Sequence, residues 1–234
     1  MNGLGLLIII PVLALIAAIG YFAWKAERQR TLDLMALARQ LGFRFDPSRD
    51  RSLDSRYAHF EVFRQGHSRC ARNMMTGHLA CGEHSYPTLM GDYEYKITTS
   101  NGKTTQTTTY RFSFAILHLP FAAVPDVLIR PEDFFDRIKS AVGFDDIDFE
   151  SAEFSRSYYV KSPDRRFAYD LIDPRMIEFF LATRPSAIDM EQGRILLTDG
   201  RHRWKAAEFQ QRLRWVEQYL DHWPRHVVDA LARA

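Results

Sequence analysis

Residues 88–118, TLMGDYEYKITTSNGKTTQTTTYRFSFAILH, decide the fold class of this chain. In the first half, Leu89, Tyr93, Tyr95 and Ile97 fall on one side of a strand, with Asp92, Glu94 and Lys96 on the other. On the return, Tyr110, Phe112, Phe114 and Ile116 alternate with Arg111, Ser113 and Ala115. Between the two runs lies Ser100-Asn101-Gly102-Lys103. Asn-Gly is the strongest short hairpin signal, because both residues accept the positive φ of a type I′ turn. The threonines from Thr104 to Thr109 suit an exposed strand face. An antiparallel hairpin is therefore expected here.

Outward from it, the signals alternate irregularly between strand and helix. Phe43 and Phe45 suggest a short strand at 42–46, while 53–66 and 69–75 read equally as either type. The run 131–142 has Pro at its first turn, Glu132 and Asp133 at its positive end and Gly143 after it, so a helix is expected. A strand is expected at 154–161, then two helices at 164–171 and 174–182, joined at Asp173-Pro174. A second hairpin turns at Gln192-Gly193, a helix covers 203–220, and Pro224 opens a last short one. Mixed elements without βαβ alternation argue an α+β fold with an antiparallel sheet packed by helices.

Ahead of this domain, residues 3–24 form an unbroken apolar run, and the first formally charged side chain is Lys25. About 20 apolar helical residues span the ~30 Å hydrocarbon core of a bilayer. Tyr21, Phe22 and Trp24 gather at one end, where an aromatic belt belongs. Lys25, Arg28 and Arg30 follow, opposed only by Glu27, so the positive-inside rule places the N-terminus outside and the body in the cytoplasm. A cleaved signal peptide is the competing reading. It has a passable site at Ala18-Ile19-Gly20 but lacks a basic leader, and its apolar core would be too long. Leu32, Leu34, Met35, Leu37, Ala38 and Leu41 continue at helical spacing to Gly42, a C-cap. The expected organisation is an anchor at 1–24, a juxtamembrane helix at 25–42 and a soluble domain at 43–234.

Composition narrows the classes. A net charge of +2 does not argue for nucleic acid, and two cysteines, Cys70 and Cys81, do not make a disulfide framework. Gly102-Lys103-Thr104 has the tail of a phosphate loop, but Ile97 stands where the motif needs glycine, and a hairpin tip is the wrong setting.

Two metal-ligand candidates remain. His78, Cys81 and His84, with Cys70 nearby, carry zinc-type donors, although on a strand Cys81 faces away from both histidines. The acidic turn Asp145-Asp146-Ile147-Asp148-Phe149-Glu150, with Glu153, offers Asp146, Asp148 and Glu150 to a hard cation but lacks EF-hand spacing. The alternative is a solvated turn anchored by Ile147 and Phe149. Membrane-contact candidates are Lys25, Arg28 and Arg30 beside the apolar run, and Arg201, Arg203 and Lys205 at the start of the C-terminal helix. No catalytic set assembles and no cofactor is expected.

Three strings carry a resemblance: residues 145–149, then Glu153-Phe154-Ser155-Arg156-Ser157-Tyr158-Tyr159-Val160, then Asp164 with Leu171-Ile172-Asp173-Pro174. Asp92-Tyr93-Glu94-Tyr95 and Leu119-Pro120-Phe121 fit with them. Over about residues 85–200 the chain resembles a group of uncharacterised bacterial proteins with an N-terminal membrane segment and a soluble domain of unknown function. The resemblance implies a bacterial membrane protein and transfers no catalytic residue; the charge step at Lys25, Arg28 and Arg30 makes the inner membrane the expected location. The combined expectation is a single-pass, non-enzymatic interaction or scaffold domain. Its partners would be the bilayer, through residues 3–24, and a protein at that surface. The alternatives are a membrane-proximal hydrolase or metal enzyme using 145–150, and anionic-headgroup binding by the C-terminal helix.

Overall fold

The computed structural model describes residues 3–82, 84–132, 147–200 and 202–233. The chain begins with one continuous helix, α1 (Gly3–Leu41), so the apolar run and the juxtamembrane segment are a single rod. It ends as the sequence indicates. Gly42 takes φ +68°, and the Phe43 N–H bonds back to the Ala38 carbonyl at 2.7 Å.

Strands β1 (Arg44–Asp46), β2 (His67–Cys81), β3 (His84–Ser100), β4 (Thr105–His118), β5 (Val127–Pro131), β6 (Tyr158–Lys161), β7 (Ala187–Glu191) and β8 (Arg194–Thr198) form one sheet. Their order is β1-β2-β3-β4-β8-β7-β5-β6, and every pairing is antiparallel. The α+β reading thus stands. The helices are α2 (Leu53–Arg56), α3 (Ala152–Ser157), α4 (Arg165–Leu171), α5 (Pro174–Thr183), α6 (Ala206–Asp221) and α7 (Arg225–Arg233).

One sheet face carries the main core, where Leu34, Leu37 and Ala38 of α1 join Met75, Met90, Ala115, Trp204, Phe209 and Val216. The other face carries a smaller aromatic core. There Tyr57 at the end of α2, Phe60, and Phe63 of the 3-10 turn Glu61–Arg64 pack with Tyr93, Phe112 and Phe114.

Four expectations change. The expected 154–161 strand divides into α3 and β6, because the Ser151 hydroxyl caps α3 by accepting from the Phe154 N–H and starts a helical turn first. The hairpin tip is not a type I′ turn. Gly102 alone has positive φ, and the Asn101 side chain accepts from the Lys103 and Thr104 N–H groups, closing a wider loop. Pro131 ends strand β5, and the remainder of the helix expected at 131–142 lies outside the described residues from 133 onward. The C-terminal helix starts at Ala206, where the Glu208 carboxylate accepts from the Lys205 N–H at 2.6 Å, not at Arg203. The Gln192-Gly193 turn, by contrast, has both residues at positive φ, 50° and 69°.

Candidate membrane interface

Helix α1 divides into two environments. From Ile10 to Trp24 its large apolar side chains are 49–64% exposed, whereas Leu34, Leu37 and Ala38 are at most 1% exposed. Over its apolar part it is long and apolar enough to cross a membrane. Pro11 lies inside the helix, a break that neighbouring groups in a span can absorb. At the boundary the Arg28 guanidinium sits 5.4 Å over the Trp24 ring.

The docked half is fastened by a polar cluster built from local sequence. β2 carries a bulge between Arg72 and Met75, with Asn73 at φ +52°. Gly91 stands opposite the bulge, where a β-carbon would meet the Met74 sulfur at 2.7 Å and the Arg72 carbonyl oxygen at 3.1 Å. It aims Asn73 at Asp92, which is 1% exposed. Asp92 accepts from Arg30 Nε (2.7 Å), Arg30 Nη2 (2.5 Å), Asn73 Nδ2 (3.1 Å) and Ser113 Oγ (2.8 Å). Ser113 Oγ in turn accepts from the Trp204 N–H at 2.9 Å, and Thr31 donates to Asn73 Oδ1 at 3.1 Å. A buried ion pair survives only when its spare lone pairs are used, and here every carboxylate oxygen is engaged. Around it runs a row of alternating charges: Arg203 to Glu27 at 2.7 Å, Arg72 to Glu94 at 2.7 Å and Arg111 to Glu94 at 3.1 Å, with Arg72 4.0 Å from Glu27.

The membrane-contact candidates therefore separate. Lys25, Arg28 and Lys205 are exposed. Arg30 is turned into the domain onto Asp92, and Arg203 is held by Glu27. Arg201 lies outside the described residues. The fold does bring the loop before α6 alongside the stem, which the sequence alone did not indicate.

The metal candidates are dispersed. Cys81 faces α6, its thiol 3.4 Å from Asp221 Oδ1, and burial followed by that hydrogen bond pushes it up to about 11. His78 and His84 are exposed, and Cys70 is buried and free. Asp148 and Glu150 sit on the rim of a cavity of about 910 Å³ floored by Phe149, Ile172, Ile177 and Leu181; Asp146 lies outside the described residues. Among the described residues no three His, Cys, Asp or Glu side chains group to hold a metal ion.

A second acidic cleft, of about 270 Å³, was not legible in sequence. Asp189 and Glu191 alternate on β7 and share a hydrogen bond. Asp126 and Glu61 approach them from separate elements, beside His59, Arg64 and Lys161. Burial, reinforced by the neighbouring carboxylates, raises Glu191 to about 7 and Asp189 well above the carboxylate range. Only the i, i+2 spacing of the two acids was available as a signal; the approach of the other two is tertiary.

No family model matches the chain, and no curated protein does. Among solved structures it is similar to the mycobacterial trehalose monomycolate transport factor A, TtfA. The TM-score is 0.55 at 16% identity, covering 84% of this chain and 97% of that one. What the two share is the fold. The likeness to TtfA runs through nearly all of that structure, so the sheet and its helical layer are a common architecture and not a local motif.

Proposed function

We propose that the chain is a membrane-tethered, non-enzymatic binding or scaffold domain whose orientation at the bilayer is set by a rigid stem. The observation that carries this is the continuity of α1, exposed and apolar in one half and clamped to the sheet through Arg30 and Asp92 in the other. A flexible linker would let the domain sample all angles; a helix docked within two turns of its apolar segment does not. The fold shared with TtfA, a transport factor by its name, supports a role as an accessory component. In this reading the chain is single-pass in a bacterial inner membrane. Lys25 and Arg28, the two exposed cations at the boundary, hold the domain on the cytoplasmic side.

The test begins with alkaline carbonate extraction of membranes expressing the full chain. It should stay in the pellet, and protease added outside intact spheroplasts should leave the domain uncut. Release by carbonate would remove the tether, and cutting of the domain would reverse the orientation. Pull-down from mild detergent should recover a discrete partner, and a domain that recovers none would count against the scaffold role.

A further inference from the structure

Every residue from 97 to 109 is exposed, on both faces of a regular antiparallel ribbon. As far as Lys96 the hairpin is backed by β2, whose first pairing is His67 with Lys96. Beyond that, β3 and β4 pair only with each other. Two-stranded ribbons are marginal on their own, so a long bare one calls for a surface to lie against.

Its direction follows from contacts along α1. Glu27 lies beside Arg72, Arg30 holds Asp92, and the Phe43 ring lies where a β-carbon on Gly77 would be. In the sheet, Arg72 pairs with Asp92 and Gly77 with Thr88. Moving up α1 toward its N-terminus is therefore moving from Thr88 toward Ser100 along β3. The ribbon and the apolar half of α1 leave the domain at the same end, and the β2–β3 tip at Cys81 and His84 lies at the other.

Heights decide the posture. From Glu94 to Asn101 the strand rises about 23 Å at ~3.3 Å per residue. Helix α1 covers that height in about 15 residues, which reaches the middle of the apolar run. Open strand edges do not exist in hydrocarbon. A ribbon running straight beside α1 would place its unpaired edges at that depth, so with α1 in the bilayer the ribbon has to lean away from the helix and lie in the headgroup layer. The ribbon's chemistry is that of an interfacial layer: hydroxyls of Thr98, Thr99, Ser100, Thr104, Thr105 and Thr107, with the Lys103 ammonium at the tip.

We propose that the ribbon 97–109 lies along the phosphate headgroup layer of the bilayer that α1 enters, a second contact that fixes the domain's rotation about its stem. This rests on the reading of α1 as a membrane span. Threonine and serine hydroxyls donate to lipid phosphates, and Lys103 adds an ionic contact that strengthens with anionic lipid.

Depth-dependent fluorescence quenching of the full chain in phosphatidylcholine–phosphatidylglycerol vesicles tests it. Single labels are placed at Thr99→Cys, Lys103→Cys, Leu15→Cys and Ser85→Cys, with the native thiols buried. Headgroup nitroxide lipids should quench positions 99 and 103, mid-chain nitroxide lipids should quench position 15, and neither should quench position 85. Thr99→Cys keeps Lys103 and so reports the undisturbed tip. If position 15 is quenched by mid-chain nitroxide while 99 and 103 respond to neither, the span stands and the ribbon proposal falls. If position 15 is also unquenched, the span itself fails. Disulfide-linked dimers through position 103, with no lipid quenching there, would give the ribbon to a second copy of the chain and overturn the proposal.

Discussion

Asp92 is the residue on which the docking of the stem turns. By strand alternation it belongs with Glu94 and Lys96 on a polar face, yet it is 1% exposed because α1 covers that face. Removing one member of a buried ion pair leaves the other charge uncompensated, at a cost of about 3–5 kcal/mol. Asp92→Ala should therefore lower the unfolding free energy of the full chain in detergent by roughly that much, read as a lower urea midpoint at unchanged slope, while Asp92→Leu combined with Arg30→Met should recover most of the loss. The acid pair gives a second expectation. Glu191 has a folded pKa of about 7 against an ordinary 4.5, so the folded state holds its proton more tightly. That contribution is complete below pH ~4.5 and is lost as pH rises toward 7, since stability falls with pH wherever the native state binds more protons. Asp189 shifts in the same direction. Glu191→Gln should flatten the decline of stability across this window, as read by thermal melts from pH 4.5 to 8; an unchanged slope would remove the pair from the account.

At the scale of elements, local capping signals that the sequence displays were decisive where they agreed with packing. Asp164 and Asp173 cap α4 and α5, each accepting from the N–H three residues on, and both helices stand where their caps place them. Ser151 does the same for α3, a cap that the expected strand at 154–161 passed over. Ser151→Ala should cost about 1 kcal/mol, measured by denaturation, without changing the sheet. The contact of β1 and β2 with the stem depends on Gly77, where a β-carbon would sit 2.3 Å from the Phe43 ring. Gly77→Val should displace Phe43 and destabilise the chain by about 1–3 kcal/mol, with faster hydrogen exchange in the last turns of α1 as its signature.

For the whole molecule, the docked half of the stem is part of the main core. Leu34 and Leu37 are in the main core, and each buried leucine contributes about 1.5–3 kcal/mol. We propose that the folding unit begins within α1, near residue 25, and not at residue 43. A fragment of residues 25–234 should be soluble and cooperative in its melt, whereas residues 43–234 should expose Met75, Met90 and the uncompensated Asp92, and aggregate. Equal behaviour of the two fragments in sedimentation and calorimetry would make the stem a passive leash.

By itself the sequence determined the apolar run, the helix that continues it to Gly42, both hairpins and the α+β class. These are local facts of period, capping and turn chemistry, readable wherever neighbours in sequence supply the cause. Only the tertiary structure decided that α1 covers Asp92, that Arg203 meets Glu27 across the fold, that Asp126 and Glu61 join Asp189 and Glu191, and that the threonine ribbon leaves the domain at the same end as the apolar half of α1. Each of these depends on which face of a strand another element buries. That choice is made by packing between residues far apart in the chain, which no local pattern records.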